Sequence, residues 1–144
     1  MSARVLLIDD DEDFRSSVRS FLESRSYQVF EAKSGREGLS AILKNRPDAI
    51  VLDVMMESDA EGYGVTFSLK NLDEYAASRH VPIIMVSSIE ESPDERFAMS
   101  PEAELIRPDR YLTKPLDFTR FLELLEKELA ATKSALQKYN EENP

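Results

Sequence analysis

Carboxylates follow two apolar runs of the chain. The run Val5 to Ile8 ends in three consecutive aspartates, Asp9 to Asp11, and the run Ala49 to Leu52 ends in Asp53. A charge at the end of a buried strand is costly unless something compensates it. Aspartates held together also raise each other's pKa unless a cation neutralises them. These residues therefore predict an acidic site that binds a cation.

The other residues of the chain narrow the chemistry of this site. There is no cysteine, which excludes disulfides, thiolate catalysis and cysteine metal sites, and the single histidine, His80, cannot form a zinc cluster. His80 stands in a predicted loop, which does not favour a Ser-His-Asp triad. With oxygen ligands only, the expected metal is Mg2+. Beside such a metal, an aspartate can act as the nucleophile toward phosphorus.

Two further predicted strands end in polar groups of a different kind. Ser87 follows the run Ile83 to Val86, and Lys114 follows the short run Arg110 to Leu112, which contains Tyr111. Ligand sites of open α/β sheets lie beyond the carboxyl ends of the strands. We therefore expect this hydroxyl and this ammonium to converge on the aspartates, where they would stabilise the oxygens of a transferred phosphoryl group.

Each of these residues also has a structural explanation when taken singly. Asp11 is suited to cap a helix, Ser87 to cap a turn after a strand, and Lys114-Pro115 to form a loop. Four such groups at the same edge of one sheet favour the functional interpretation.

The fold follows from the alternation of short apolar runs with amphipathic stretches. The predicted strands are Val5 to Ile8, Tyr27 to Ala32, Ala49 to Leu52, Ile83 to Val86 and Arg110 to Leu112. Between them, helical spacing of apolar residues is found at Phe14, Val18, Phe21 and Leu22, at Leu39, Ile42 and Leu43 within Gly35 to Lys44, and at Val65, Leu69, Leu72 and Ala76. This pattern predicts an α/β fold, a flavodoxin-like, doubly wound, five-stranded parallel sheet of order 2-1-3-4-5.

Composition bounds the class of protein. The 144 residues fit one domain, predicted over 1–128, with a helical extension or tail over 129–144. With 18 basic and 28 acidic residues the net charge is -10, which argues against direct binding of nucleic acid. The start of the chain is unlike a signal peptide, and no run approaches the roughly 20 apolar residues of a membrane span. We expect a cytoplasmic protein without a membrane partner.

Four stretches together resemble the receiver domain of two-component response regulators. They are VLLIDDDEDF, AIVLDVMM, PIIMVSS and DRYLTKPL, in this order, and the resemblance covers about residues 3 to 128. It implies that Asp53 is the phosphoacceptor. It also implies a Mg2+ site formed by Asp9, Asp10, Asp53 and the backbone carbonyl of Met55.

The resemblance assigns roles to three further residues. Ser87 matches the hydroxyl residue that contacts the phosphoryl group after activation, and Tyr111 matches the aromatic residue that swings inward as that hydroxyl moves. Lys114 matches the lysine that pairs with the phosphate, and its bond to Pro115 is expected to be cis.

The chain departs from the family pattern after Asp53 and after Ser87. Residues 57–62, ESDAEG, replace the usual Pro and Gly-x-Asp-Gly with one residue more, and Ser88 stands where Ala or Gly is common. Their acids, Glu57, Asp59 and Glu61, are explained as solvated loop residues or as groups that recruit the metal or select the kinase. Three prolines within residues 89–109 predict that the fourth helix of the family is short or missing.

Two apolar residues predict the lifetime of the phosphorylated state. Met55 and Ile89 stand two residues beyond Asp53 and Ser87, and in this family those positions flank the route of an attacking water. Since neither side chain can orient a water molecule, we expect a long-lived phosphoryl group.

The function implied is that of a stand-alone phosphoacceptor receiver. It would take its phosphoryl group from a histidine kinase or a histidine phosphotransfer protein and act by contact with an unknown downstream protein. It would be no enzyme toward other molecules, catalysing only its own phosphorylation and dephosphorylation.

Other functional classes fit less of the sequence. A degenerate receiver acting as a binding module is one alternative. A phosphohydrolase of the haloacid dehalogenase type is another, with Asp9-x-Asp11 as its motif, although Asp13 stands where Thr or Val is expected. An EF-hand loop starting at Asp9 fails, because Phe14 takes the place of the required glycine.

The C-terminal stretch has a regular apolar pattern. Its residues are spaced in alternating steps of four and three: Phe118, Leu122, Leu125, Leu129, Thr132, Leu136 and Tyr139. The first half is expected to be a helix that packs on the sheet. Residues 130–144 are either a frayed polar tail or a short coiled coil that joins two chains into a homodimer.

Overall fold

Five strands form one parallel sheet. The computed structural model describes residues 2–53, 61–88 and 109–143, with the backbone alone for residues 61 and 62. The strands are β1 (Arg4–Ile8), β2 (Gln28–Ala32), β3 (Ala49–Asp53), β4 (Ile83–Ser87) and β5 (Arg110–Thr113). Their order across the sheet is β2-β1-β3-β4-β5, and every neighbouring pair is parallel. The predicted flavodoxin-like fold and strand order are confirmed.

In the described ranges, helices connect the strands and one long helix follows the last strand. They are α1 (Glu12–Ser24), α2 (Gly35–Asn45), α3 (Glu61–Asn71), a 3-10 helix (Asp73–Ser78) and the C-terminal helix (Phe118–Glu142). The helical spacing of apolar residues predicted an inward position for three residues, and this prediction was wrong. Leu43 and Leu72 are each 39% exposed, and Ala76 is exposed as well. The third helix ends at Asn71, and the chain then buries Tyr75 from the 3-10 helix instead.

Two apolar cores lie on opposite faces of the sheet, because alternate residues of each strand point to opposite sides. On one face, Leu6 and Ile8 pack with α2 and α3 through Ile42 and Leu69. On the other face, the strand residues that alternate with these pack with α1 and the C-terminal helix. This second core is formed by Val5, Leu7, Val18, Leu22, Val29, Ala49, Val51, Ile84, Val86, Phe121 and Leu125. The central strands are thus buried on both sides, which explains their continuous apolar sequence.

One glycine sets the distance between α2 and the sheet. A Cβ atom placed on Gly38 would lie 2.4 Å from Cδ1 of Ile8 in β1. Any larger residue would force the Ile8 side chain to shift, which favours glycine at a helix position where it is otherwise unfavourable. The close approach lets α2 cover the strand directly before Asp9.

Asp11 begins α1. Its carboxylate Oδ1 accepts hydrogen bonds from the backbone N–H groups of Asp13 and Phe14, at 3.0 and 3.2 Å. This is the helix cap considered for Asp11 from the sequence, and it satisfies two of the free N–H groups of the first turn.

Glu31 ties α1 to β2. Its carboxylate accepts hydrogen bonds from Arg15 Nε at 3.0 Å and from Arg19 Nη1. Burial opposes ionisation of Glu31, but the hydrogen bonds from Arg19 and Arg15 outweigh it and hold the pKa of this carboxyl below its ordinary value. Arg15 also donates from Nη1 to the backbone carbonyl oxygen of Asp9, at 2.6 Å. The network therefore fixes the turn that follows β1.

The C-terminal helix continues past the sheet. Phe121 and Leu125 are fully buried in the core, whereas residues 130–143 are exposed apart from Thr132. The residues after Leu129 are thus helical as far as Glu142. The domain boundary at residue 128 stays a prediction, since the helix crosses it without a break. Within the described ranges, no helix combines the length and hydropathy that crossing a bilayer requires.

The network around Glu31 predicts a pH-dependent part of the stability. Because the pKa of Glu31 is lower in the folded state, its contribution is present above the pKa of the unfolded carboxyl and is lost as the pH falls through the folded value. At neutral pH, Glu31→Gln should lower the free energy of unfolding by about 0.5–1 kcal/mol, since its partners are partly exposed. Urea unfolding of both proteins across the acid range should show this difference shrinking toward zero. The control variant Glu141→Gln, in an exposed part of the C-terminal helix, should show no such trend. A difference for Glu31→Gln that stays constant with pH would contradict the assignment.

Candidate functional site

The strand register brings the predicted polar groups to one edge of the sheet. Ile8 of β1 pairs with Leu52 of β3, so Asp9 and Asp53 both lie at the carboxyl ends of adjacent strands. In the next pairs, Asp53 lies opposite Val86, and Ser87 lies opposite Thr113, which Lys114 follows. The expected convergence of these residues is therefore present in the structure.

Three carboxylates form the acidic group of this edge. Asp9, Asp10 and Asp53 each place one carboxylate oxygen within 4.8 Å of those of the other two. Asp9 is 2% and Asp53 6% exposed, whereas Asp10 is exposed to solvent. The group thus has a buried side built on the strands and an open side at Asp10. The carboxylate of Asp11, by contrast, caps the amino end of α1.

Hydrogen bonds fix the backbone N–H and both carboxylate oxygens of Asp9. Its backbone N–H donates to the carbonyl oxygen of Ala32 at 3.1 Å, which extends the pairing of β1 with β2. Its Oδ1 accepts from the backbone N–H of Asp11 at 2.9 Å, and its Oδ2 accepts from Lys114 Nζ at 2.9 Å. Both carboxylate oxygens therefore have fixed directions.

Lys114 supplies positive charge to the acidic group. Its Nζ lies 2.9 Å from Asp9 Oδ2 and 3.8 Å from Asp53 Oδ2. Its backbone N–H donates to the carbonyl oxygen of Ser87 at 2.8 Å, which anchors the residue beside β4. The peptide bond between Lys114 and Pro115 is cis, as expected. The ammonium is thus placed to neutralise charge on two buried carboxylates.

Ser87 and Tyr111 occupy neighbouring strands. Ser87 ends β4 and is 1% exposed. Tyr111 lies on β5 opposite Met85, is half-buried, and packs against the core that contains Leu6 and Ile8. The two residues thus lie on adjacent strands, and the roles that the resemblance gives to them stay predictions.

Several sequence predictions fall outside the described residues. Met55 and Ile89 belong to this group, as do the loop acids Glu57 and Asp59 and the side chain of Glu61. The expected shortening or loss of a helix between β4 and β5 also concerns residues outside the description. These statements stay predictions.

The donor set of the acidic group fits Mg2+. All of its side-chain metal ligands would be carboxylate oxygens, and hard cations such as Mg2+ prefer oxygen ligands. Mg2+ is typically held by one or two carboxylates and keeps several waters, and the exposed position of Asp10 leaves room for such a solvated ion. Asp9, Asp10 and Asp53 are therefore the residues that would hold the metal.

Two residues at the site were not identified from the sequence. Phe14 was assigned to the apolar face of α1, but its ring also lies against Lys114, with Nζ 4.3 Å from the ring centroid. Arg15 carried no recognisable signal, yet it binds the backbone of Asp9. Both contacts arise because α1 starts directly at the acidic turn, so that its first residues line the site.

Comparison with known protein sequences identifies the family of this chain. The response regulator receiver domain model matches residues 5–126. The polar-differentiation response regulator DivK of Brucella ovis is 30% identical over 128 residues, which are 87% of this chain and 94% of that protein. Response regulator MprA of Mycolicibacterium vanbaalenii is 35% identical over 122 residues, 85% of this chain and 48% of that protein.

Solved structures agree in fold. A CheY-like receiver domain protein from Methanospirillum hungatei superimposes with a TM-score of 0.77 at 23% identity, covering 94% of this chain and 99% of that one. Chemotaxis protein CheY4 of Vibrio cholerae gives a TM-score of 0.73 at 28% identity, with 88% and 98% of the two chains covered. With the sheet order, the acidic edge and the match over residues 5–126 in agreement, the chain belongs to the response regulator receiver domains of two-component signalling systems.

Proposed function

We propose that this protein accepts a phosphoryl group on Asp53 in a Mg2+-dependent reaction. The donor would be a histidine kinase or a histidine phosphotransfer protein. One observation carries the proposal: Asp53 is 6% exposed at the carboxyl end of β3, with Asp9 and Asp10 grouped around it and Lys114 Nζ at 3.8 Å. A nucleophile in this position is held rigidly by the strand, and it still lies at the open edge of the sheet.

The reaction forms and breaks one bond each. A carboxylate oxygen of Asp53 attacks phosphorus, and the new O–P bond forms as the P–N bond to the imidazole of the donor breaks. The imidazole leaves with the electron pair of that bond and takes up a proton. When bound, Mg2+ would neutralise charge on the carboxylates and on the phosphoryl oxygens.

Lys114 and Ser87 are placed to stabilise the transferred group. Lys114 Nζ is bonded to Asp9 in this structure, and the 3.8 Å to Asp53 is a short distance for a flexible side chain. Its ammonium would pair with an oxygen of the phosphoryl group on Asp53. The Ser87 hydroxyl, on the neighbouring strand, would donate a hydrogen bond to another oxygen.

The output of this reaction would be a change of surface. As Ser87 moves toward the phosphoryl group, Tyr111 would swing inward, and the altered surface would bind an unknown downstream protein. The placement of Tyr111 on β5, next to β4 and against the core, supports this sequence of events. We propose no direct binding of nucleic acid and no activity on other molecules; a cytoplasmic location stays a prediction.

Asp11 argues against a phosphohydrolase of the haloacid dehalogenase type. The D-x-D motif of such an enzyme would need the carboxylate of Asp11 at the site as well as that of Asp9. Here both backbone N–H bonds of the α1 cap end on the Asp11 carboxylate, which keeps it in the helix terminus.

The proposal predicts that phosphorylation depends on Asp53. Incubation with Mg2+ and a small phosphodonor should add one phosphoryl group to the wild type, measured by intact mass, and none to Asp53→Asn. The exposed carboxylate of Asp13, in the first turn of α1, provides the matched control, and Asp13→Asn should label like the wild type. Release of free phosphate over many turnovers would point to the hydrolase, and no labelling of the wild type would leave the binding module.

A second prediction concerns the lifetime of the phosphorylated protein. If Met55 and Ile89 flank the route of water, the phosphoryl group should decay over many minutes, because neither side chain can orient the attacking molecule. Replacement by a group that can do so, in Ile89→Gln, should shorten the half-life several-fold. Decay is followed by intact mass after removal of the donor. A wild-type half-life of seconds would refute this expectation.

The C-terminal helix suggests a second copy of the chain as a further partner. The helix face that buries Leu125 in the core continues beyond the sheet into Leu136, 39% exposed, and Tyr139, 62% exposed. Because the sheet occupies this face in the first half of the helix, a partner helix on the same face has room beside the second half only. We therefore propose an antiparallel pair, in which the two receiver domains lie at opposite ends.

A groove below the sheet fits such a pair. It has a volume of about 1250 Å³ and lies between the extension and the amino edge of the sheet, where Arg4, Asp48 and His80 line it. The end of the partner helix would enter this groove, whose lining carries both signs of charge, with Arg4 and Lys133 beside Asp48 and Glu141.

Substitutions on the two sides of the extension test the dimer. Leu136→Lys should convert a dimer to a monomer, whereas Ser134→Lys, on another side of the same helix, should leave it intact. A truncation after Leu129 should also give a monomer. Molecular mass in solution is measured by sedimentation. A wild-type monomer, or a truncated protein that keeps the dimer mass, would contradict the proposal.

A further inference from the structure

The ammonium of Lys114 has a neighbour besides the carboxylates. Its Nζ lies over the face of the Phe14 ring, 4.3 Å from the centroid. At this distance the negative face of an aromatic ring attracts a cation, and the attraction grows where water is partly excluded. The Lys114 side chain is 21% exposed, so the contact is largely shielded from solvent.

The Phe14 ring is itself held in place. The backbone N–H of Phe14 donates to Asp11 Oδ1 at 3.2 Å, within the cap of α1. Its half-buried side chain packs against the core that contains Val18 and Leu22. The cap and the core together fix the ring relative to β1 and to the acidic turn.

The ring and the carboxylates hold the ammonium in different ways. The attraction of Asp9 and Asp53 depends on their negative charge, which a metal ion would neutralise. The attraction of the ring depends on its quadrupole, which such neutralisation leaves unchanged. A leucine of similar size would preserve the packing but would supply no quadrupole.

We propose that Phe14 is a positioning residue that keeps the Lys114 ammonium beside Asp53 when Asp9 turns from Lys114 to a metal ion. This inference rests on the proposed phosphorylation of Asp53. It adds that an aromatic ring at position 14 sets the rate of phosphoryl transfer through Lys114.

The test compares aromatic with apolar replacements. Phe14→Leu and Phe14→Met remove the ring, and Phe14→Tyr keeps it. The rate constant of Asp53 labelling is measured at saturating Mg2+ and saturating small phosphodonor. We expect about a 3- to 10-fold decrease for the Leu and Met variants, and a rate within about 2-fold of the wild type for Tyr. Thermal unfolding identifies any variant that has lost its fold, and two apolar variants keep the comparison valid if one of them unfolds.

A spectroscopic measurement separates contact from packing. The ring current of an aromatic residue shifts the resonances of the Lys114 Hε protons upfield. This shift should be present in the wild type and in Phe14→Tyr, with and without Mg2+, and absent from Phe14→Leu. A shift that disappears when Mg2+ is added would overturn the proposal.

The outcomes distinguish the inference from the proposed function. A wild type that fails to label would overturn the function, and with it the part of Phe14 in transfer. A wild type that labels, together with a Leu variant of equal rate or a Tyr variant as slow as Leu, would overturn the role of Phe14 alone.

Discussion

Two buried carboxylates and the ammonium that compensates them impose the central constraint on this structure. Asp9 and Asp53 are almost inaccessible to water, and ionised groups are stable there only with hydrogen-bond donors and a cation nearby. Lys114 provides the cation from 105 residues farther along the chain than Asp9. The contact links distant parts of the chain, because it requires the ends of the first and last strands to lie at the same edge of the sheet.

The rest of the architecture serves this meeting point. Parallel pairing places all strand ends on one side, and two mainly apolar cores, one on each face of the sheet, fix the strands. Gly38 brings α2 close to β1, and α1, capped by Asp11, starts three residues after Asp9. Arg15, which is hydrogen-bonded to Glu31, also donates a hydrogen bond to the backbone carbonyl oxygen of Asp9. The precision of the acidic group is thus a property of the surrounding backbone more than of the carboxylates.

The parts that could be predicted from the sequence are those controlled by burial. Four-residue apolar runs that alternate with amphipathic stretches predict strands buried on both faces, and the polar residues after such parallel strands lie at one edge of the sheet. The failures were at surfaces. Leu43 and Leu72 have the right spacing for an inward face, yet helical spacing cannot tell where the neighbouring helix ends. Phe14 was taken for a core residue because its ring serves the core and the site at once, and the contact partner is remote in sequence.

The long C-terminal helix has a mechanical consequence. Its first half packs on the sheet beside α1, whereas residues 130–142 extend beyond the sheet over about 20 Å, at about 1.5 Å per residue. If the helix tilts as a rigid body, its exposed part therefore moves about a point near Leu129, where its packing on the sheet ends. A tilt of about 5° in the first half displaces Tyr139 by about 1 Å. A tilt that began in the packing beside β5 would therefore be largest at the tip of the helix.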